Sequence, residues 1–450
     1  MGARPRKRGL APGEGWSRIH SAAVANLLLI VVDCLRADMV ARGRRAWPRI
    51  SELAAGGARF DACYSTCPTT TPAVTALLTG RYPSAHGVQG LRGTQLSESI
   101  PTAAEQLGRG GIATWCSATG PLLDTVGSFR GFADAQYRDV PQRSVHSDWG
   151  REGIAQIARL AGGARPFFAL VHLWDAHTPR TYPPRFESRA HGRNAYERAI
   201  AGMDAWIGEA IDAAGPDTIV VLTGDHGENT VFEPHNLREQ AAWRRINQRL
   251  PIAEWSQRAV DHGVRSSSKR ALRWAPRYFW NHGQTLLESL VRVPLVVSGP
   301  GVVPGARRTP VSHVDLAPTL VDLAGAAHPE AGWQGTSLAA ALRDGTEPPS
   351  HPVAMEIAVA PSIPAIRQQA IRLGRHKLIT SFDDERVADA LYDVESDPGE
   401  LHNLAATEPG LADDLRETLR GLVAERAEPV EMAADDDEEI AERLRELGYL

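Results

Sequence analysis

The segment Asn26 to Asp33, NLLLIVVD, is a continuous leucine and β-branched run closed by a carboxylate. With no polar alternation, such a strand must be covered on both faces, as in a parallel sheet flanked by helices. Asp33 then stands at the carboxyl end of a central strand, which is where open α/β sheets place ligands. The arrangement recurs twice. Phe167 to Trp174, FFALVHLW, delivers Asp175-Ala176-His177-Thr178-Pro179, and Thr218 to Thr223, TIVVLT, opens into Gly224-Asp225-His226-Gly227-Glu228. Helical patterns at 47–56, 101–110, 148–162 and 195–214 alternate with these runs and with the strands Ala58 to Tyr64 and Gly111 to Ala118, so a doubly wound α/β sheet is expected. Arg292 to Ser298 returns to strand and Val314 to Ala324 to helix. From about Ser350 the pattern shifts to short strands and turns (Pro352 to Ile357, Gln369 to Thr380, Leu391 to Asp393), which implies a small C-terminal α+β subdomain. Residues 407–450 read as helical and acidic, with Asp435 to Glu439 as a solvated charge run.

Three hydroxyls, Thr69, Thr70 and Thr71, precede Pro72. Thr71 suits an N-cap and Pro72 a first helical position, so a helix is expected from Pro72 to Thr79, ending at Gly80. A helix start carries N–H groups and partial positive charge, and a hydroxyl held there can attack an anionic ester. Alone, the stretch describes only a threonine-capped helix. Its companions change the reading: Asp33, Asp225 and His226, all from strand ends, are arranged around Thr70. An oxygen-rich set with a single imidazole suits one divalent ion, and Mg²⁺, Mn²⁺, Ca²⁺ and Zn²⁺ all remain open. Asp-His-Gly is only moderately specific, since a second copy, Asp261-His262-Gly263, reads as a loop turn.

The formal net charge of −5 and pI near 6.3 give no case for nucleic-acid or anionic-membrane binding, so an anion site must be local. Cys34, Cys63, Cys67 and Cys116 include no CxxC pair and fit reduced thiols better than a disulfide framework. No apolar run reaches the roughly 18 to 20 residues of a membrane span. Residues 1–25 read as a flexible basic tail without a clean cleavage site, and a cytoplasmic protein is expected. The oligomeric state is not legible.

The motifs LLLIVVDCLRAD (27–38), TPAVTALLTGRYPSAHGV (71–88), DAHTP (175–179), TGDHGE (223–228), HGQTLLESLVRVPLVVSGPG (282–301) and SHVDLAPTLVDLAG (312–325) stand in this order. GTSL (335–338), IRLGRHKLI (371–379), LYDVESDPGELHNL (391–404) and the ending RLRELGYL follow. On these the chain resembles the sulfatase family of the alkaline phosphatase superfamily, from about Asn26 to Leu450. The resemblance implies an alkaline-phosphatase-like fold, with a catalytic domain over 26–345 and the C-terminal subdomain over 346–450. It implies Asp33, Asp225 and His226 as metal ligands, with Thr70 completing the site, and His177 and His282 as residues contacting the substrate's anionic group or leaving group. Arg36 and Asp38 buttress the metal loop in this reading, and Asp315 with Thr319 fixes a helix start.

Two departures from the family pattern stand out. The family's formylglycine precursor, a Cys or Ser in Cys-x-Pro-x-Arg, falls nine residues before the Thr of LTG, at Thr70, with Pro72 retained and Val74 in place of the arginine. Threonine cannot become formylglycine. Cys34 replaces the second aspartate of the paired-aspartate motif, which favours a softer or Thr-completed metal site. The expected activity is therefore metal-dependent hydrolysis of a small anionic sulfate or phosphate ester through Thr70. The alternatives are a transferase on the same site and a binding protein built on an inactive sulfatase fold. The block 229–281, with ten Arg or Lys against four Asp or Glu and tryptophans 243, 255, 274 and 280, is expected to fold as helices over the site and attract an anion.

Overall fold

The structure is a computed structural model and describes residues 25–42, 45–137, 144–230, 233–236, 238–240, 242, 282–283, 285–326, 332–357, 367–383 and 388–447. The basic tail before Ala25 and the four tryptophans of the 229–281 block lie outside the described residues.

In chain order the first ten strands are β1 (Asn26–Val32), β2 (Ala58–Tyr64), β3 (Thr94–Gln95), β4 (Ala113–Ala118), β5 (Asp134–Tyr137), β6 (Phe167–Leu173), β7 (Thr218–Gly224), β8 (Arg292–Ser298), β9 (Gly305–Arg307) and β10 (Val311–Ser312). All but β3 join one nine-stranded sheet in the order β10-β2-β8-β7-β1-β6-β4-β5, with β9 on β2. β1 is central and pairs in parallel with β6 on one side and β7 on the other. Its side chains alternate between two cores, Leu28, Ile30 and Val32 in one and Leu27, Leu29 and Val31 in the other, and all six are buried. The unbroken apolar run is thus explained: neither face meets water. Among the described residues the first seven α-helices are α1 (Ala37–Arg42), α2 (Pro48–Gly56), α3 (Thr70–Thr79), α4 (Pro83–His86), α5 (Ala103–Arg109), α6 (Asp148–Ala161) and α7 (Ala195–Ala214). The first core is covered by α2, α6 and α7, and the second by α3, α5 and the helices Leu316–Leu323 and Ala339–Asp344.

The sheet is mixed, because β8 runs antiparallel to both β2 and β7. A doubly buried strand presents the same apolar run in either direction, so its sequence carries no sign of its orientation. Because the chain crosses from one side of β1 to the other, the carboxyl ends of β1, β6 and β7 open into one crevice at the switch point.

The C-terminal part is an antiparallel sheet of β11 (Val353–Glu356), β12 (Gln369–Leu373), β13 (His376–Thr380) and β14 (Ala390–Asp393). One face packs on Tyr64, Leu286 and Val291, the other on the helix Pro409–Leu422. Between this sheet and the larger one, Lys377 Nζ donates to Glu288 Oε1 and Glu400 Oε1, each at 3.0 Å, with all three side chains buried. Lys377→Met would leave two buried carboxylates without their cation. It is expected to lower stability by about 3–5 kcal/mol, read from denaturant midpoints, with Glu288→Gln and Glu400→Gln added to it recovering part of the loss. The helix Ala434–Leu447 closes the chain against Val88, Leu91, Leu96 and Ile100 through Ile440 and Leu444, and β3 pairs there with β15 (Val430–Glu431). The acidic run before Ile440 is not wholly solvated, since Asp437 pairs with Arg92. No helix of the described residues is long and apolar enough to cross a membrane.

Candidate active site

At the end of β1 the chain turns sharply. Asp33 N–H donates to Leu173 O (2.8 Å), Cys34 adopts φ 62°, and Cys34 N–H donates to Asp225 Oδ1 (3.1 Å). Asp225 Oδ1 also accepts from the N–H of His226 (2.7 Å), which ties the β7 loop to the β1 loop. Gly227 is required by a close approach: a Cβ there would lie 2.1 Å from the Ser289 carbonyl oxygen. Arg36 buttresses the same region as expected, pairing with Asp38 and donating to Glu228 O (3.1 Å).

Helix α3 begins two residues earlier than its sequence suggests. The N-cap is Thr69, and Thr70 is the first helical residue, so Pro72 occupies the third position. Proline is tolerated throughout a first turn, whose N–H groups have no intrahelical acceptor, so the proline alone could not locate the start. The end is as read, with Gly80 at φ 65°. Likewise Asp315 and Thr319 serve a helix start: Asp315 accepts from Ser312 N–H (2.8 Å) and Thr336 N–H (2.7 Å), and Thr319 Oγ1 accepts from Leu338 N–H (2.8 Å).

Thr70 Oγ1 donates to Asp33 Oδ2 at 3.2 Å and lies 3.4 Å from His226 Nε2. His226 Nδ1–H donates to Gly227 O (2.8 Å), which leaves Nε2 as the lone pair facing the hydroxyl. The four residues Asp33, Thr70, Asp225 and His226 therefore converge at the positive end of α3, all of them buried.

A fifth residue joins them without having been signalled by any motif. His172, the one polar side chain in FFALVHLW, points its Nε2 at Asp33 Oδ2 and Asp225 Oδ2, 3.7 Å from each. Its Nδ1–H is held by Thr119 Oγ1 (2.9 Å), whose own proton goes to His172 O (3.0 Å). Asp33 Oδ1, Asp225 Oδ2 and His172 Nε2 are fully buried and have no hydrogen-bond partner. Each uncompensated group of this kind costs about 1–3 kcal/mol, and three at one point are a place whose cost a bound cation would relieve. Asp33, His172 and Asp225 offer ligand atoms within 4.8 Å of one another, and the donor set fits a divalent ion.

His177 and His282 lie beside this cluster. Trp174 stacks on His177 with ring centroids 3.8 Å apart, and His282 meets His177 at 5.0 Å and His226 at 4.6 Å. His177 Nδ1–H donates to Thr178 O (2.6 Å). Two further residues that sequence reasoning missed complete the arrangement. Glu228 Oε1 lies 3.4 Å from His282 Nδ1, and Glu228 Oε2 accepts from Arg180 (3.1 Å), which also forks onto Glu233 at 3.1 and 2.7 Å. Gln240 holds the main chain of Arg180 at 2.8 and 3.1 Å, so the described start of the 229–281 block is anchored to the loop that carries His177.

The electrostatics divide these groups by role. Burial and the neighbouring Asp225 charge push the Asp33 carboxyl well above its usual range. Burial pushes Asp225 the same way, but His226 and His172 more than offset it and hold that carboxyl low. Burial opposes charge on Glu228 too, yet His282 and Arg180 keep it ionised. His177 is driven well below the usual imidazole range by burial and by His282, so it is neutral and presents Nε2 as an acceptor.

The chain is similar to known proteins over most of its length. A family model described as Sulfatase matches residues 25–326, and one described as N-sulphoglucosamine sulphohydrolase, C-terminal, matches residues 277–426. The choline-sulfatase of Rhizobium meliloti (strain 1021) is 25% identical over 510 residues, covering 91% of this chain and 88% of that protein. The crystal structure of a putative sulfatase from Bacteroides thetaiotaomicron VPI-5482 superposes with a TM-score of 0.67 at 19% identity, covering 92% of this chain and 96% of that one. The phosphonate monoester hydrolase of Agrobacterium radiobacter superposes with a TM-score of 0.64 at 18% identity, covering 89% and 95%. At such identities the two structures speak for the fold alone. The fold is α/β and alkaline-phosphatase-like, and, with the first family model spanning well over half of its length, the chain belongs to the sulfatase family.

Proposed function

We propose that the chain is a metal-dependent hydrolase of small anionic sulfate or phosphate esters that works through a covalent intermediate on Thr70. The observation that carries this reading is the Thr70 hydroxyl at the first residue of α3, 3.2 Å from Asp33 and 3.4 Å from His226. Asp33, Asp225, His226 and Thr70, with His172 beside them, would hold one divalent ion of the Ca²⁺, Mg²⁺, Mn²⁺ or Zn²⁺ type. Such an ion lowers the hydroxyl pKa and neutralises charge on a substrate oxygen.

Thr70 Oγ1 attacks the central sulfur or phosphorus atom as its proton passes to Asp33 Oδ2, the atom to which it already donates. The ester bond to the leaving alcohol breaks, and that oxygen takes a proton. His282 is placed for the donation, because Glu228 Oε1 faces its Nδ1 and orients the ring with Nε2 left for the leaving group. His177, neutral and locked by Trp174 and Thr178, presents its Nε2 lone pair as a hydrogen-bond acceptor for one proton of the attacking water. Water then attacks the same central atom, giving its other proton to His282, while the bond to Thr70 Oγ1 breaks and that oxygen recovers its proton from Asp33 Oδ2.

The last step separates the two ester classes. A formylglycine hydrate expels sulfate by collapsing to the aldehyde through its second hydroxyl, whereas Thr70 has none. Its ester can be cleared only by displacement at the central atom, which phosphorus tolerates when its oxygens are neutralised by a cation and helix N–H groups. Phosphorus esters are therefore expected to be handled at least as well as sulfate esters. The test is a panel of matched aryl sulfates, phosphate monoesters and phosphate diesters with each of the four ions. A kcat/KM for a phosphorus ester at or above that of the matched sulfate supports the reading, and a clear sulfate preference refutes the phosphorus half.

A further inference from the structure

Cys34 is the buried group to which the steps above assign no task. Its backbone is pinned in the left-handed region at φ 62°, its N–H is committed to Asp225 Oδ1 (3.1 Å), and its carbonyl accepts from Tyr196 OH (2.7 Å). The side chain therefore has a fixed origin beside Asp33. Sγ lies 3.9 Å from His282 Nδ1, and ligand-type atoms of Cys34, His226 and His282 fall within 4.8 Å of one another, as do those of Asp33, Cys34 and His177. Asp33 belongs to this second group, and its fully buried Oδ1 has no hydrogen-bond partner.

A thiol, imidazole and carboxylate together suggest a nucleophilic cysteine, but the geometry argues against one. Sγ and Glu228 Oε1 both face Nδ1 of His282, at 3.9 and 3.4 Å, so the ring does not bridge thiol and carboxylate through its two nitrogens. A cation between thiol, carboxylate and the Nε2 of His226 accounts for all three groups at once.

We infer that Cys34 Sγ is, as the thiolate, a direct ligand of the ion held by Asp33, Asp225 and His226, and that it makes the site select a thiophilic cation of the Zn²⁺ class over Ca²⁺ or Mg²⁺. The inference rests on the metal-dependent reading above. Zn–S and Zn–N bonds of about 2.3 and 2.1 Å at a tetrahedral angle place S and N about 3.6 Å apart, so the ligand atoms of Cys34, His226 and His282, within 4.8 Å of one another, need approach by only about 1 Å. Ca²⁺ asks for about 6–8 oxygen ligands, and the carboxylates and Thr70 supply too few once a sulfur and a nitrogen occupy the other directions. Binding exchanges the Cys34 thiol proton for the metal–sulfur bond and releases that proton to solvent.

The test is titration of metal-stripped protein with Co²⁺ as a spectroscopic stand-in, and with Zn²⁺ against a chromophoric chelator, for wild type, Cys34→Ser and Cys34→Asp. Asp tolerates the left-handed backbone, so the second variant retains the turn. The expected result is a thiolate-to-cobalt charge-transfer band in the near ultraviolet, absent in Cys34→Ser, with Zn²⁺ affinity about tenfold or more weaker in that variant. Cys34→Asp is expected to shift preference toward Ca²⁺ and Mg²⁺. Tight Co²⁺ binding without the band, and with Cys34→Ser unchanged in affinity, overturns the thiolate ligand and leaves metal dependence standing. Failure of wild type to bind Zn²⁺, Co²⁺, Ca²⁺ or Mg²⁺ overturns both.

Discussion

Replacing Thr70 with alanine is expected to lower kcat by about 10⁴- to 10⁶-fold, the scale seen when a hydrolase loses its nucleophile, while the fold survives. The side chain removed is small, and its one donated hydrogen bond, to Asp33, lies inside the site and outside either hydrophobic core. Thr70→Ser keeps the hydroxyl at the first residue of α3 and should retain most of the activity. Two measurements check the reading. Mass spectrometry of wild type quenched during turnover should find a phosphoryl or sulfuryl group on the peptide containing Thr70. Thermal unfolding should show Thr70→Ala melting close to wild type, so that the lost rate reports chemistry. An alanine variant that remained fully active would remove Thr70 from the mechanism.

The second large effect is expected at Asp225, where alanine should abolish metal binding and turnover together. Asp225 has two tasks that its two oxygens divide: Oδ1 accepts from Cys34 and His226 N–H groups, and Oδ2 faces the site with no hydrogen-bond partner. Alanine removes both, so it loosens the loops and deletes the ligand. Asn separates them. Asp225→Asn keeps an oxygen for the two N–H groups but loses the anionic ligand, and its metal affinity should fall by more than the roughly 100-fold that loss of an outer-shell partner costs. Metal stoichiometry by elemental analysis, followed alongside activity, provides the check. Wild-type stoichiometry and full activity in Asp225→Ala would place the ion elsewhere.

Much of the site was legible because its residues follow strand ends. Asp33, Asp225 and His177 each terminate or follow a run of buried residues, and a buried strand must emerge at its carboxyl edge whatever its neighbours are. His172 was not legible, since a histidine inside an apolar strand usually serves packing, and only the parallel pairing of β1 with β6 and β7 brings it to the two aspartates. Glu228 and Arg180 stand beside recognised motifs, yet the meeting of Glu228 with Arg180 and with His282 joins loops 48 and 54 residues apart in sequence. The expected helices over the site from the 229–281 block fall largely outside the described residues, and only its first part is seen, held by Arg180, Ala195 and Arg198.

By itself the sequence determined the class of sheet, the two-sided burial of its central strand, the separate C-terminal sheet and the hydroxyl, carboxylate and imidazole set of the site. These are local properties: apolar periodicity reports the surroundings of each segment, and a residue's chemistry travels with it. The tertiary structure alone decided that β8 runs antiparallel, that α3 begins at Thr70, that His172 joins the two aspartates and that Cys34 faces His282. Those outcomes depend on strand order and on which loops share a crevice, and both are set by the packing of the whole chain, which no single segment encodes.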